Sequence, residues 1–410
     1  MKNATLFALI NAKGGGGGGG SVSAPEKDVN FIDYDGRIVY SYTATDFANL
    51  SAMPENPTHT GLTAQGWNWS LSDAKTYVAT YGQLWIGQMY ITDDGKTRLY
   101  IHIADVARNV VPLYWNQSVS EGVTINWGDG SAEETFSGTG NKNTTHTYTS
   151  AGNYVITLDV TSGTAKLGYG SSEYAVLGNA TSIRCYLNML KKAEIGSNMS
   201  LYAYAFTFCY SLSSITIPNN IISIGNNAFN NCFSLLSITI PSNITSILYY
   251  TFYGCYSLSN IAIPNSVTSI NMLAFNQCYS LSSITIPSSV TYVENSTFAY
   301  CSSLEKIHIP SVLTSIPVSI FEYCYSIVKI SIPSGVKNIY SYAFSACTSM
   351  KEYHLLPTTP PTLSSINVFN SIPSDCIIYV PYSADHSILA TYKSTSNWST
   401  YADYMEEEPQ

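Results

Sequence analysis

Seven of the nine cysteines recur every 23 residues, and thiols at a regular interval could form disulfides or bind metal. They are Cys209, Cys232, Cys255, Cys278, Cys301, Cys324 and Cys347. If equivalent residues stack on successive strands, their Cβ atoms lie about 4.8 Å apart, wider than the roughly 3.5–4.5 Å of a disulfide. No C-x-x-C pair exists, and a straight row of thiols cannot form a tetrahedral zinc site. The spacing therefore predicts a row of inert, buried thiols, with no metal and no cofactor.

The other residues that could carry chemistry do not form catalytic motifs. The six histidines are His59, His102, His146, His308, His354 and His386. The sequence has no H-E-x-x-H, no G-x-S-x-G and no P-loop. The segments Asp33–Gly36 and Asp93–Gly95 could bind calcium, but neither continues into an EF-hand loop, so both are predicted to be turns. A glycan hydrolase within residues 28–98 would need paired carboxylates that the sequence does not offer. We therefore expect a non-catalytic protein.

Composition excludes two further classes of function. Charged residues make up 11% of the chain, against about 25% in an ordinary soluble domain. With 18 Lys and Arg and a net charge of −9, the chain lacks the clustered cations that bind nucleic acid. No apolar stretch reaches the roughly 18 residues of a membrane span. An abundance of Ser, Thr, Asn and Tyr is typical of extracellular or virion β proteins.

The 23-residue period extends well beyond the cysteines. Phenylalanines from Phe206 to Phe344 and prolines from Pro218 to Pro333 recur at the same interval. Between them lies the pattern L-x-x-I-x-I-P, which places Leu212, Ile215 and Ile217 on the inner side of a short strand. Each coil would expose its apolar edges unless another coil stacked on it, so the pattern predicts a solenoid. One imperfect copy precedes the array near Ala193–Ile195, and a degraded one follows it.

These repeats resemble the BspA-type leucine-rich repeats, also called the Treponema pallidum type. Their consensus is close to L-x-x-I-x-I-P-x-x-V-T-S-I-x-x-x-A-F-x-x-C, and seven copies match it. The tail, with Pro360-Pro361, Tyr392-Lys393 and Asn397-Trp398, is similar to the family's usual C-terminal cap. The resemblance implies a surface protein of a host-associated bacterium or of a phage, with a role in adhesion.

A second resemblance lies upstream of the repeats. The turn Trp127-Gly128-Asp129-Gly130 is followed by His146-Thr147-Tyr148 and then by Gly152-Asn153-Tyr154 and an alternating strand. This order resembles the PKD domain, a small immunoglobulin-like β-sandwich. The resemblance implies that His146 is a structural hydrogen-bonding residue and that Asp129 forms the turn.

The remaining segments complete a modular prediction. Gly14–Gly20 is an unbroken glycine run and is predicted to be a flexible tether. The apolar residues before it are either a signal peptide cleaved near Ala12 or a short peptide that docks on another protein. The predicted fold is mainly β, in these segments: 1–24 head and tether; 25–98 small α+β module; 99–165 PKD-like β-sandwich; 166–200 connector and N-terminal cap; 201–356 seven repeats; 357–410 C-terminal cap.

Two repeated surfaces are candidate ligand-binding sites. The first is the outward face of the strands, where we single out Thr216, Thr239, Thr285 and His308; it is either a solvated face or a flat binding surface. The second is a line of aromatic residues that directly follow the repeat cysteine; they either cover the coil corner or contact a ligand. These are Tyr210, Phe233, Tyr256, Tyr279 and Tyr325.

Together these patterns favour a binding protein that acts outside the cell. The first hypothesis is a phage tail or virion protein whose solenoid contacts the bacterial surface and whose N-terminal head contacts other virion proteins. The second is a secreted or surface-attached bacterial adhesin that binds a host protein or glycan. Neither involves nucleic acid or membrane insertion.

Overall fold

The computed structural model describes residues 27–35, 37–106, 109–118, 122–169, 174–179 and 188–409. The apolar head and the glycine tether predicted for residues 1–24 lie outside these ranges, as do Gly36, Cys185 and parts of the predicted connector. The described chain is mainly β and ends in a long stack of coils, so the predicted solenoid is confirmed.

Residues 27–92, which we call the N-terminal module, form a four-stranded sheet with two helices. Its elements are β1 (Val29–Ile32), β2 (Ile38–Tyr42), α1 (Ala44–Ala48), β3 (Leu62–Trp67), α2 (Leu71–Tyr81) and β4 (Leu84–Thr92). The strand order is β2-β1-β4-β3, and β1 pairs with β4 in parallel. Ser70 Oγ accepts the backbone N–H of Asp73 at 3.1 Å and so begins α2. Gly82 ends the helix with a φ of 79°.

The Asp94–Gly95 turn lies between two strands that do not pair as a hairpin. Both strands exist, as β4 and β5 (Thr97–Ile103), but they belong to different sheets. β4 pairs with β1 and β3, whereas β5 pairs with a strand of the next module and with the first coil. The turn therefore joins the two modules instead of closing a hairpin.

The region after β5 consists of two sheets that share one apolar core. Its further strands are β6 (Val110–Gln117), β7 (Val123–Asn126), β8 (Glu134–Phe136), β9 (Gly140–Thr147), β10 (Gly152–Val160), β11 (Ala165–Leu167), β12 (Tyr174–Ala175) and β13 (Gly178–Asn179). One sheet has β5, β10, β7 and β8 in that order, and the other has β11, β6 and β9. Residues of both, such as Leu99 and Trp115, lie in the same buried cluster.

The Trp127–Gly130 turn and His146 lie in contact. His146 Nε2 lies 2.7 Å from Asp129 Oδ2, and its ring stacks on Trp127 with the centroids 4.8 Å apart. The hydroxyl of Tyr148 donates to the Trp127 carbonyl at 2.8 Å. His146 thus has a structural role in this turn, while the likeness of the whole region to a PKD domain stays a prediction.

The solenoid has two walls of short parallel strands. The first wall contains β14 (Leu190–Glu194), β16 (Ser214–Thr216), β17 (Ser237–Thr239), β19 (Asn260–Ala262), β21 (Ser283–Ile284), β23 (Lys306–Ile307), β25 (Lys329–Ile332), β27 (Glu352–Leu355) and β29 (Ile377–Val380). The second wall contains β15 (Met199–Leu201), β18 (Ser246–Ile247), β20 (Ser269–Ile270), β22 (Tyr292–Val293), β24 (Ser315–Ile316), β26 (Asn338–Ile339) and β28 (Thr362–Leu363). Residues 23 apart pair directly, as Ile238 does with Ile261.

The solenoid continues the upstream sheet without a break. β14 pairs antiparallel with β5, where Ala193 faces Leu99, and parallel with β16, where Ala193 faces Ile215. The predicted imperfect copy before the array is therefore the strand that joins it to the two-sheet region. One apolar cluster runs from Leu99 to Met405. This shared core means that the two regions stabilise each other.

The repeat cysteines and phenylalanines line the interior as stacked rows. Adjacent phenylalanine rings from Phe206 to Phe344 are stacked, with centroids 5.4–5.9 Å apart. The repeat cysteines are free and buried, and burial raises the pKa of each thiol. Each from Cys232 on donates to the carbonyl of a phenylalanine in the preceding coil, as Cys232 does to Phe206 at 3.1 Å. The thiols therefore act as small core residues that also hydrogen-bond neighbouring coils together.

The C-terminal segment covers the last coil. It contains α3 (Ser387–Ser394), a 3-10 helix (Trp398–Tyr404) and β30 (Met405–Glu407), which pairs with β29. The Tyr392 hydroxyl and the Trp398 indole are buried and donate to the carbonyls of Pro357 and Pro361 at 2.7 and 2.6 Å. These contacts close the open end of the apolar core.

Candidate functional site

The N-terminal module lies across the first half of the solenoid's first wall. β4 crosses β16, β17 and β19, and the approach is so close that a Cβ on Gly87 would lie 2.5 Å from Thr239 Oγ1. A side chain at position 87 would collide with the side chains of Thr239 and Ala262, so this approach requires glycine. The outward face of these coils is therefore an internal interface.

Polar groups of the module bond directly to the strand ends beneath it. Asn68 Nδ2 and Trp69 Nε1 donate to the carbonyls of Ala262 and Ile263, each at 3.1 Å. The Tyr77 hydroxyl donates to the carbonyl of Ile286 at 2.8 Å, and Trp85 Nε1 donates to Ser283 Oγ at 3.0 Å. Because these groups are buried, losing one partner would leave the other unpaired. The contacts therefore fix the position of the module on the wall.

This docking corrects the expected binding face. Thr216, Thr239 and Thr285 point outward from their coils, but the module covers them and they are 3%, 6% and 5% exposed. A ligand cannot reach Thr216 and Thr239 while the module is docked, whereas Thr285 borders a cleft at the edge of the module. The repeat could not predict this cover at Thr216 and Thr239, because a pattern within each repeat carries no information about a distant segment that packs on it.

His308, the fourth predicted residue of the face, lies where the module ends. A cleft of about 670 Å³ opens there, and its walls come from both parts of the chain. Tyr77 and Gln83 contribute one wall, and Glu305, Lys306, Val328 and Lys329 contribute the other. The volume lies within the roughly 300–1,000 Å³ of small-molecule sites. We call this space the junction cleft.

Burial and charge give the junction cleft its chemical character. His308 is half-buried, and burial lowers its pKa to about 4, so the imidazole is neutral at physiological pH. Lys329 Nζ pairs with Glu352 Oε2 at 2.8 Å, and both groups are largely exposed. Lys306 and Glu305 are exposed beside them. The cleft thus presents donors and acceptors of both signs next to the apolar Val328.

The predicted aromatic line is a continuous stack over four coils. Successive centroids from Tyr210 through Phe233 and Tyr256 to Tyr279 lie 4.6, 4.4 and 4.8 Å apart. These rings are half-buried, and burial raises the pKa of Tyr279 to about 12. Ser302 interrupts the row, and Tyr325 beyond it is 44% exposed and contacts Tyr323. The first four rings cover the coil corner, and a role in ligand binding stays a prediction for all five.

Sequence reasoning missed three exposed tyrosines on the second wall. Tyr249, Tyr292 and Tyr340 are 37%, 54% and 41% exposed and line one groove of about 460 Å³. They occupy different positions in the repeat, so a search for shared positions could not find them. The available signal was the opposite one, namely departure from the repeat. Where Tyr292 stands, three other coils carry Ser246, Ser269 and Ser315.

The described residues hold no other arrangement that suggests chemistry. Across these ranges no three His, Cys, Asp or Glu side chains come close enough together to hold a metal ion. Asp33 is buried and pairs with Arg37 and His59, at 3.2 and 2.8 Å, so its segment is held by its own charges. In the part of the chain that the structure describes, no helix is both long and apolar enough to cross a bilayer.

Comparison with known protein families identifies the repeats. Residues 199–327 and 268–371 match the family profile described as the BspA type leucine rich repeat region. The array is therefore built of BspA-type leucine-rich repeats. Leucine-rich repeat proteins generally act as non-catalytic binding proteins, and those of the BspA type are often found at the cell surface. No curated protein matches this sequence.

Parts of this chain are similar to solved structures of leucine-rich repeat proteins. A leucine-rich repeat protein from Bacteroides ovatus is 30% identical, with a TM-score of 0.40 and 44% of this chain covered. The chain spans about half of that protein, 48% of its length. The leucine-rich repeat protein of T. pallidum is 20% identical, with a TM-score of 0.32, 53% of this chain and 91% of that chain covered. A leucine rich cell surface protein from Faecalibacterium prausnitzii is also 20% identical, with a TM-score of 0.25, 56% of this chain and 90% of that chain covered.

Proposed function

We propose that this chain is a non-catalytic adhesion protein that recognises a cell surface through the exposed parts of its solenoid. In the version we favour, it belongs to a phage tail or virion and contacts the bacterial surface. The alternative is a bacterial adhesin, secreted or surface-attached, that binds a host protein or glycan. In both versions the N-terminal module acts as part of the recognition unit, because it forms one wall of the junction cleft.

The junction cleft is the observation that carries this proposal. It is open to solvent, has the volume of a small-molecule or side-chain site, and combines apolar, cationic, anionic and imidazole groups. Because its walls come from segments more than 200 residues apart, such as Tyr77 and Lys306, it depends on the docked arrangement. A surface built this way suits selective binding better than a uniform repeat face does.

The sparse charge of the array indicates how recognition works. Between residues 201 and 350 the charged residues are Glu294, Glu305, Lys306, Glu322, Lys329 and Lys337. Long-range electrostatic steering needs a strong charge of one sign. A surface with three acidic and three basic residues binds instead by shape, aromatic contact and hydrogen bonds. This mode fits a stationary cell-surface target.

A charge placed in the junction cleft tests the proposal. Val328 lines the cleft and is 48% exposed, so Val328→Arg should fill the space without disturbing the core. We expect labelled full-length protein to bind cells in a panel of bacterial strains and host epithelial cells, as measured by flow cytometry. Val328→Arg should reduce that binding about tenfold or more.

The matched control is Val312→Arg, which adds the same charge at a residue that is 43% exposed and lies outside the cleft. It should bind like the unmodified protein. Equal binding by both variants would remove the cleft from the proposal, and absence of binding to every cell type would reject the adhesin function.

The predicted aromatic line is tested separately. We call it the aromatic strip, and it consists of Tyr210, Phe233, Tyr256, Tyr279 and Tyr325. Changing Tyr256 and Tyr279 together to Ala should weaken cell binding about tenfold if the rings contact a ligand. The same change removes stacking worth about 0.5–1.5 kcal/mol per pair, so thermal unfolding is measured in parallel. A double variant that unfolds earlier but binds normally would assign the strip to structure alone.

The location of the protein separates the two versions. Antibodies against the solenoid should label purified virions if the chain belongs to a phage tail, and the outer surface of intact bacteria if it is a bacterial adhesin. Electron microscopy with gold-conjugated antibodies makes this distinction directly. Labelling of bacterial cells alone would reject the virion version.

A further inference from the structure

We propose that the groove on the second wall binds a neutral oligosaccharide of pyranose sugars. This tyrosine groove is lined by Tyr249, Tyr292, Tyr340, Met272, Glu294 and Asn295. The inference deepens the proposed adhesion function and rests on it, because it names the chemical class that one surface recognises. The groove lies on the opposite wall from the junction cleft, so the two surfaces can be tested independently.

Two residues of the groove differ from the residues that other coils carry at the same positions. At the position of Tyr292, other coils carry Ser246, Ser269 and Ser315, which form the same kind of short strand. At the position of Glu294, other coils carry Leu248, Asn271 and Pro317. Since neither residue is required to build a coil, their convergence in one groove calls for a reason outside the fold.

Glu294 is held in place by three donors. Its Oε2 accepts the backbone N–H of Met272 at 2.7 Å, and its Oε1 accepts the hydroxyls of Tyr249 and Tyr292, each at 3.2 Å. Partial burial and the hydrogen bond to Glu294 raise the pKa of Tyr292 above its ordinary value, which already lies well above neutral, so this phenol is a donor at neutral pH. A carboxylate fixed in this way is an oriented acceptor for hydroxyl groups, the commonest donors of a sugar.

The three tyrosine rings keep their faces available. Among the described residues none of them stacks on another aromatic ring, whereas the first four rings of the aromatic strip lie 4.4–4.8 Å from one another along the row. An aromatic face carries partial negative charge and attracts the weakly positive C–H groups of a pyranose. Rings with open faces beside an oriented carboxylate are therefore suited to a molecule with alternating C–H and hydroxyl surfaces.

The charge of the groove selects a neutral sugar. Glu294 is its one ionisable acid, and no Lys or Arg lines it within the described chain. A uronic or sialic acid would place a second negative charge beside Glu294 without a compensating cation, which is unfavourable. The volume of about 460 Å³ lies in the range for small-molecule ligands and accepts part of a chain.

Direct titration of the full chain tests the inference. The probes are neutral hexasaccharides of glucose, mannose and galactose, with a galacturonic acid hexasaccharide as the charged counterpart. We expect at least one neutral hexasaccharide to bind by isothermal titration calorimetry, with saturation transfer to its ring C–H protons in NMR. Tyr292→Ser, which installs the residue of other coils, should weaken that binding about tenfold or more. Glu294→Gln should weaken it severalfold.

Tyr382→Ser is the matched control, because Tyr382 is 45% exposed but lies in the C-terminal segment, away from the groove. It should bind sugar normally. Absence of binding to every neutral hexasaccharide, preference for the acidic one, or equal binding by Tyr292→Ser would each overturn the inference. If cell binding persists in Tyr292→Ser while no sugar binds, the inference fails and the adhesion function stands. If sugar binds but no cell does, the adhesion function fails.

Discussion

The two halves of the solenoid's first wall have the same backbone but different surroundings. In the first half, β16 to β21 lie beneath the N-terminal module, and the middle outward residues are Thr216, Thr239, Ala262 and Thr285. In the second half, β23 to β27 lie beyond the module. The equivalent residues are His308, which is half-buried in the junction cleft, the exposed Ser331, and His354, which stacks on Tyr379. The repeat builds one kind of wall, and the module divides it into an interface and a surface.

The neighbouring outward position changes at the same boundary. Under the module it holds Ser214, Ser237, Asn260 and Ser283, and beyond the module it holds Lys306, Lys329 and Glu352. Small neutral side chains allow a second backbone to approach closely, whereas charged side chains would have to lose their water. A change of residue type along one repeat position can therefore indicate where another part of the chain packs.

The largest expected effect comes from placing the same charge in each half. Thr239→Arg would bury an unpaired cation beneath the module, whereas Ser331→Arg changes the equivalent residue in solvent. We expect Thr239→Arg to lower the free energy of unfolding by about 3 kcal/mol or more, or to release the module. Ser331→Arg should change the free energy of unfolding by less than about 0.5 kcal/mol. Chemical denaturation and hydrogen exchange of β4 measure both outcomes, and similar stability of the two variants would contradict the docking.

A methyl group at the crossing point should have the next largest effect. In Gly87→Ala the new Cβ would meet Thr239 at 2.5 Å and Ala262 at 3.0 Å. We expect a loss of about 1–3 kcal/mol from overpacking. Gly335→Ala is the control in the open half, because the nearest atom to its Cβ would lie 3.4 Å away. The temperature of thermal unfolding should fall clearly for Gly87→Ala and stay unchanged for Gly335→Ala.

Acidification should destabilise the protein through His308. The unfolded chain takes up a proton near pH 6.5, about the ordinary value, whereas burial lowers the folded pKa to about 4. Unfolding therefore takes up a proton between these values, and stability falls as the pH drops through that window. At about pH 5 we expect His308 to lower the free energy of unfolding by about 2 kcal/mol. Threonine is the residue that most of the covered coils have at this position. The His308→Thr variant should therefore lose this pH dependence of the free energy of unfolding, as measured by denaturant titrations at several pH values.

The smallest effect tests one hydrogen bond of the interface. Trp85 Nε1 donates to Ser283 Oγ at 3.0 Å, and both residues are buried. A double-mutant cycle with Trp85→Phe and Ser283→Ala should give a coupling energy of about 1 kcal/mol. A coupling near zero would show that the two side chains do not meet in solution.

The sequence was informative wherever a pattern repeats or a local signal decides the structure. The 23-residue period predicted the coils, the buried Ile215 and the free thiols, and local signals such as Ser70 and Gly82 stand at the limits of α2. The candidate site was only partly predictable. His308 and Thr285 line an open cleft, whereas the module covers Thr216 and Thr239. The tyrosine groove was missed because its residues share no position in the repeat.

The coils and their stacking could be derived from the sequence because they depend on contacts between near neighbours. A coil is specified by residues within one period, and stacking requires only that each coil resemble the next, so periodicity is sufficient evidence. Tertiary structure decided which part of that stack meets solvent. The N-terminal module reaches Ala262 from Asn68, 194 residues away. Such a contact depends on the shapes of two finished surfaces, and no local propensity or spacing encodes it. For this reason the wall could be derived from the repeat, while the proposed binding surfaces on it could be located only in the folded chain.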